Sequence, residues 1–375
     1  MLLIALTGGP PKIARRARRT RTFEHLGAFA SQFGHELLIT TPKDWVFHRE
    51  LVRGWKYTTQ NGRKEWKRTT VSAVNAVVYD AMYLADLKEH RTAYRRWKRH
   101  MQRKVIPSFN PVLPAKDTIY QSLAKSGGLS GHIPETEYQI QPEGVLARLK
   151  RGQSLWLKPT YGSGGRNMLW LRYLGDGRYK VIAERFFGRR VRKTMSESRL
   201  RKVLAYAFQR RSYMAQEHIP LLHTTDGRKF DIRVTVQRNH TGQWQVVAMT
   251  GRFGAPGSAL TNFHAGGRVE SLTQPTVEQN ERLREMGMVE GDLSRAAELA
   301  VVVAERMQKK YPTLGMLGLD IGQSVSGRQY IYDFNGRPGR DILTDKEIQT
   351  AMYCVAGYCD YLSKTSAENL RSRQV

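Results

Sequence analysis

The sequence predicts an α/β (α+β) protein in which a small parallel sheet precedes a larger, mainly antiparallel region. Three observations carry that expectation. A length of 375 residues, 40% of them hydrophobic, suffices for two or three units with sizeable cores. Short apolar runs at residues 2–7, 36–41 and 76–79 alternate with helical or polar segments, as parallel strands do when each is followed by a crossover. Between residues 213 and 345 apolar runs follow one another across turn-rich connections instead, which suits antiparallel pairing.

Taken in order, residues 1–112 form the first unit. Gly8-Gly9 after its first run reads as a loop, because two prolines follow and the third glycine of a dinucleotide fingerprint is missing. Residues 113–212 hold a linker helix and a small subdomain. The helix spans 116–124 and stops before Ser126-Gly-Gly128, and the subdomain proper starts at residue 143. Residues 213–365 form the large subdomain, its sheet interrupted by a helix over about 293–310 with Leu299, Val302, Val303 and Met307 toward the core. Residues 366–375 are a polar tail expected to fray.

Composition narrows the function classes. Cys354 and Cys359 have neither zinc nor redox spacing, which argues against a disulfide framework, and two small buried residues are expected. No stretch approaches the ~18 apolar residues of a membrane span, and the apolar start lacks the order of a secretory signal. A soluble, cytoplasmic protein is the expectation. The net charge is +28, and residues 1–110 supply half of it, with 22 Lys and Arg against 8 Asp and Glu. The clusters at residues 15–21 and 91–104 would attract an anionic polymer by counterion release, or simply form a solvated face. No base-reading element accompanies them, which disfavours sequence-specific DNA recognition.

Two stretches carry chemistry. In Gly318-Leu-Asp-Ile-Gly322 and Tyr330-Ile-Tyr-Asp-Phe-Asn335, the period of two puts Asp333 and Asn335 on one face, and a hairpin would add Asp320. Such a sparse set of hard oxygens suits magnesium on nucleotide phosphates; a solvated hairpin with incidental acids is the other reading. In Leu155-Trp-Leu-Lys-Pro-Thr-Tyr-Gly-Ser-Gly-Gly-Arg-Asn-Met168, Lys158 ends an apolar strand before a loop with Gly162, Ser163, Gly164 and Gly165. Glycines let backbone N–H groups wrap phosphate oxygens, and the lysine adds a point charge. A strand-loop-strand flap fits better than a Walker loop, which would end in Gly-Lys-Ser/Thr. A purely structural hairpin remains the alternative.

With Tyr213-Met-Ala-Gln-Glu-His-Ile-Pro220, Gly227-Arg-Lys-Phe-Asp-Ile-Arg-Val-Thr-Val236, Val246-Val-Ala-Met-Thr-Gly-Arg252 and Leu260-Thr-Asn-Phe-His-Ala-Gly-Gly267 added, the ordered set resembles the ATP-grasp superfamily of carboxylate–amine ligases. More narrowly it resembles the endospore-associated YheC/YheD family. Val52-Arg-Gly-Trp55, Val78-Tyr-Asp80, Ser108-Phe-Asn-Pro111 and Ile133-Pro-Glu-Thr136 extend the resemblance over residues 1–345. It implies an ATP-grasp fold behind a small parallel α/β domain, with ATP and Mg2+ (or Mn2+) as cofactors and a cytoplasmic or spore-associated location. Lys116 and Lys158 then match the nucleotide-contacting lysines, and Gln216, Glu217, His218 and Ile219 match the adenine hinge, with the Glu217 carboxylate on ribose. Asp231 and Arg233 match the following strand, Arg252 a cation facing the transferred phosphate, Asn262 an asparagine near it, and Asp320, Asp333 and Asn335 the metal set.

The implied reaction is an acyl-phosphate ligation. A small-molecule or peptide carboxylate attacks ATP, and an amine (or thiol) then displaces phosphate. Charge neutralisation around the phosphates carries such chemistry, and Arg252 would steady the oxyanion. Arg340, just past the metal strand, would either hold an anionic substrate or cap a loop. Many relatives carry glutamate where this chain has Asp333, one methylene shorter, so a non-catalytic nucleotide binder, structural at the spore, and a polyanion binder with a vestigial site stand beside the ligase.

Overall fold

The computed structural model describes residues 1–11, 18–60, 63–162, 164–259, 261 and 266–371. The first elements are β1 (Leu2–Leu6), α1 (Arg18–Gln32), β2 (Glu36–Thr40), β3 (Trp45–Val46), β4 (Leu51–Gln60), β5 (Arg63–Ser72), β6 (Ala76–Asp80), α2 (Leu84–Glu89), α3 (Arg91–Lys104) and β7 (Ser108–Phe109). Strands β2, β1, β6 and β7 run parallel in that order, while β4 joins β2 antiparallel and carries β3 and β5. β1 and β6 are apolar almost throughout because both faces are covered. Ile4, Leu6 and Val78 pack under Tyr94, Trp97 and Met101 of α3, and Leu3, Ala5 and Val77 under Phe23 and Leu26 of α1. The parallel sheet expected from the three apolar runs is therefore present. Of the first basic cluster, Arg15 and Arg16 lie outside the described residues. Arg18 donates to the carbonyls of Asp341 and Leu343, and Arg19 pairs with Asp86 at 3.0 Å, so both serve the protein's own packing.

Next come α4 (Lys116–Ala124), β8 (Thr136–Glu137), α5 (Pro142–Lys150), β9 (Leu155–Pro159), β10 (Leu169–Gly175), β11 (Arg178–Phe186), β12 (Arg189–Ser196), α6 (Glu197–Arg210) and β13 (Tyr213–Glu217). Their six-stranded sheet has the order β12-β11-β10-β9-β13-β8. Pro142 starts α5 at a position that needs no N–H donor. Ser196 caps α6 by accepting from the Arg199 N–H, with Glu197 in the first turn. Both helices cover one face through Val145, Leu149, Leu200 and Leu204 on Leu155, Leu157 and Leu169. One expectation is corrected here. β13, assigned from sequence to the large sheet, pairs with β9 and β8, because its Tyr213 and Ala215 complete the smaller core.

The remaining elements are β14 (Phe230–Arg238), β15 (Trp244–Phe253), β16 (Arg268–Ser271), α7 (Val277–Glu285), α8 (Asp292–Lys310), β17 (Met316–Gln323), β18 (Gln329–Asn335) and α9 (Asp345–Arg371). The five-stranded sheet is antiparallel, ordered β16-β15-β14-β17-β18. α8 lies on one face with a buried stripe through Ala296, Leu299, Ala300, Val303 and Met307. Val302 falls off that stripe and is 40% exposed, correcting its expected core position. α9 begins with a reciprocal cap in which the Thr344 N–H donates to Glu347 Oε2 at 2.7 Å and the Glu347 N–H to Thr344 Oγ1 at 3.3 Å. It continues past Ser366 to Arg371, so the helix enters the stretch expected to fray. Its Ile348, Ala351, Met352 and Val355 close the face of the parallel sheet beside α1, and the same cluster reaches Val247, Ala248 and Met316 of the antiparallel sheet. Cys354 and Cys359 are free and buried within it, and burial pushes the Cys354 thiol up to about 12.

Candidate active site

The two antiparallel sheets present one face each to the other, and the charged residues gather there. Register explains how. Across the larger sheet Arg252 of β15 stands opposite Asp231 of β14, and Arg233 of β14 opposite Asp320 of β17, which is itself opposite Asp333 of β18. Four strands thus place five charged side chains on one face. Gly318 makes room for this, since a Cβ there would lie 2.9 Å from Pro338 and 3.4 Å from Arg233.

The geometry is that of a buried charge network. Arg252 holds Asp231 bidentately, Nε to Oδ1 at 2.6 Å and Nη2 to Oδ2 at 2.8 Å, and its Nη2 also reaches Asp320 Oδ2 at 2.8 Å. Arg233 takes the other Asp320 oxygen. Burial opposes the Asp320 charge, yet the two guanidinium groups outweigh it and hold the carboxyl below its ordinary range. Burial likewise opposes the Arg252 charge, and Asp231 and Asp320 overcome it. At the open end of the network Lys116, first residue of α4, pairs with Asp333.

The bulge between β17 and β18 adds a residue that sequence reasoning missed. Asp320 pairs with Asp333 but Ile321 pairs with Ile331, so Tyr332 is the extra residue and turns toward the site beside Asp333. Its hydroxyl donates to Asp231 Oδ2 at 2.6 Å, and its carbonyl accepts from Lys158 Nζ at 3.1 Å. Strict alternation would aim Tyr332 away, so no sequence signal marked it.

From the smaller sheet, Lys158 of β9 and Gln216 of β13 share the inner face. Lys158 Nζ donates to Gln216 Oε1, and Gln216 Nε2 to Thr136 Oγ1 at 3.0 Å. Burial pushes the Lys158 ammonium down to about 7 against the pull of Asp333. Trp156 and Trp170 pair across β9 and β10, and the Trp156 indole N–H donates to His218 Nδ1 at 3.2 Å. Burial, with Lys229 adding to it, lowers His218 to about 4, so its ring is neutral. Both tryptophans read from sequence only as strand apolars.

The other expected residues divide. Gly164 (φ 70°) and Gly165 (φ 66°) sit consecutively in the left-handed region that favours glycine, in the loop from β9 to β10 with Gly162. Ser163 and Asn262 lie outside the described residues. At the end of β13 the Glu217 carboxylate accepts from the Glu135 N–H at 2.8 Å and lines a cleft of ≈ 530 Å³ with Lys125, Thr136, Tyr138 and Tyr330. His218 and half-buried Ile219 form the crossing from the smaller sheet to the larger. Arg340 faces the parallel sheet, donating to the Tyr79 hydroxyl. Arg337, unmarked in sequence, holds Asp80 bidentately at 2.9 and 2.6 Å, and its N–H donates to Asn335 Oδ1 at 3.0 Å.

Among the described residues no group of three or more His, Cys, Asp or Glu side chains is placed to hold a metal ion. Asp320, Asp333 and Asn335 are nonetheless hard oxygen donors on paired strands, the chemistry that suits magnesium when phosphates and water complete its shell. By chemistry the donors suit that ion, while in this structure Asp320 accepts from Arg233 and Arg252, Asp333 from Lys116 and Asn335 from the Arg337 N–H.

The family model for YheC/D like ATP-grasp matches residues 105–362. The endospore coat-associated protein YheC of Bacillus subtilis (strain 168) is 27% identical over 356 residues, 92% of this chain and 93% of that one. Among solved structures, D-alanyl-alanine synthetase A from Vibrio cholerae O1 biovar eltor has a TM-score of 0.51 at 9% identity, over 95% of this chain and 98% of that one. The macrocyclase MdnC bound with precursor peptide MdnA, from Microcystis aeruginosa MRC, has a TM-score of 0.50 at 12% identity, over 95% and 99%. At these identities the likeness is one of fold.

Proposed function

Because the chain belongs to the YheC/D-like ATP-grasp family, we propose that it is an ATP- and Mg2+-dependent ligase joining a carboxylate to an amine through an acyl phosphate. The observation that carries this reading is the convergence of Lys116, Lys158, Arg233 and Arg252 with Asp231, Asp320 and Asp333 between the two antiparallel sheets. Cations there meet phosphate, and carboxylates meet the accompanying metal.

The parts divide the work by chemistry. Lys158 and Lys116 bind phosphate oxygens, and the glycine loop with Gly162, Gly164 and Gly165 offers backbone N–H groups above them. The segment Gln216–Ile219 takes the base. Asp320, Asp333 and Asn335 would hold Mg2+, which offsets phosphate charge when bound. For this Lys116 must release Asp333 and turn to phosphate, and Asp320 must share its oxygens between the ion and the guanidinium groups of Arg233 and Arg252. A substrate carboxylate oxygen then bonds to the γ-phosphorus as ADP leaves. An amine nitrogen bonds to the acyl carbon, loses its proton, and phosphate departs. Arg252, held charged by Asp231 and Asp320, steadies the oxyanion.

The printed names of the fold relatives support both substrate sizes, one being a synthetase of D-alanyl-alanine and the other a macrocyclase bound with a precursor peptide. The description of the 27% identical relative as endospore coat-associated supports a place at the spore. Incubation with Mg2+, ATP and a panel of amino acids and peptides tests the reading. ADP and phosphate should appear in step with new amide. A panel that gives ATP binding without amide would favour the non-catalytic reading, to which the pairing of Asp333 with Lys116 already lends some support.

A further inference from the structure

We propose that the outer face of α3 binds the phosphate backbone of nucleic acid without regard to base sequence. The helix has no acidic residue. Its apolar side is taken up by the parallel sheet, where Tyr94, Trp97 and Met101 are buried. On the opposite arc Arg91, Arg95, Arg96, Lys98, Arg99 and Arg103 are all exposed. Arg91, Arg95, Arg99 and Arg103 recur every fourth residue, so they stand ~6 Å apart along the axis in a slowly turning row. Arg91, Arg95, Lys98 and Arg99 have no acidic partner among the described residues, whereas Lys104 at the helix end is paired with Glu50 at 2.6 Å. Phe47 packs against Arg96 at 4.9 Å, and exposed Arg49 follows two residues later, widening the cationic strip.

The choice of partner follows from what the strip lacks. A membrane-lying helix needs a free apolar face, and that of α3 is buried. A protein interface is centred on apolar or aromatic anchors, and the tyrosine and tryptophan of this helix point inward. Regularly spaced guanidinium groups with no anchor between them match a chain of phosphates, bound by counterion release. This inference is independent of the ligase reading.

Fluorescence anisotropy with labelled single-stranded and duplex oligonucleotides of about 20 nucleotides, titrated between about 50 and 200 mM salt, tests it. Parent protein should bind both forms, with affinity falling by roughly two or more powers of ten across that range. The variant Arg91→Gln, Arg95→Gln, Arg99→Gln, Arg103→Gln keeps helix-forming side chains at exposed positions and should melt with the parent. It should lose at least about tenfold in affinity and lower the log–log salt slope by about three to four. Should that variant melt early, Arg95→Gln, Arg99→Gln should shift the slope by about half as much. Equal slopes for parent and variants overturn the proposal. So does equally tight binding of polyglutamate, or binding to phosphatidylserine vesicles without binding to the oligonucleotides.

Discussion

Lys158 sits where burial disfavours its charge and an incoming phosphate would restore it. With its ammonium at about 7 in the free protein, the unfolded chain holds that proton more tightly, so the unliganded fold gains stability as pH climbs from about 7 toward about 10. Binding of an anion runs the other way. ATP affinity should weaken as pH rises above about 7, by up to about tenfold per unit, and calorimetry in buffers of different ionisation enthalpy should register proton uptake. Lys158→Met should remove that pH dependence and cost about 10- to 100-fold in ATP affinity, read by thermal-shift titration. Equal ATP stabilisation of variant and parent would contradict the assignment. At the neighbouring position Asp333→Asn should fold normally but lose Mg2+-dependent turnover by more than about 100-fold, since a neutral amide cannot offset a cation's charge. Turnover at the parental rate would remove Asp333 from the metal set. The strand positions of Lys158, Asp320 and Asp333 were legible because each lies in or at the end of a short apolar run, whereas Lys116 was marked only by the family resemblance. Tyr332 and Arg337 were not legible, because a bulge and a contact with a distant strand aim them.

Among the elements, β1, β2, β6 and α4 followed from local pattern, while the short parallel strand β7 and sheet membership did not. β13 has a strand's composition whichever sheet it joins, and only its partners β9 and β8 decide. The polar hairpin of β4 and β5 went unread although Asn61-Gly62, a strong turn dipeptide, stands between the two strands in sequence. α9 also went unread, although Thr344 followed three residues later by Glu347 is a helix-start signature. α9 carries an element-scale prediction at Gly357. In an open helix Gly→Ala gains up to about 1 kcal/mol. Here a Cβ would lie 2.9 Å from the His240 Cβ and 3.2 Å from its backbone, so Gly357→Ala should instead destabilise by about 1–3 kcal/mol in urea unfolding. A neutral or stabilising result would mean that α9 does not lie against the β14–β15 turn.

On the scale of the molecule, the parallel sheet is fastened to the charged face by Arg337. Its guanidinium reaches Asp80, the Asn110 carbonyl at 3.1 Å and the Tyr94 hydroxyl at 3.4 Å, with both partners of the ion pair largely buried. Arg337→Met would strand a buried carboxylate and should cost about 3–5 kcal/mol, part of which Asp80→Asn in the same chain should restore. Additive losses would show that the two do not act as a pair. The packing of α9 has a consequence for biosynthesis. Leu3, Ala5, Leu37 and Val77 are made early, yet the Met352 and Val355 that close their core belong to residues synthesised after every strand. At about 5–20 residues per second the nascent sheet waits some tens of seconds, half-covered, for its lid. Ribosome pausing or chaperone supply in that interval, rather than the equilibrium stability of the finished fold, would then set how much of the protein a cell recovers.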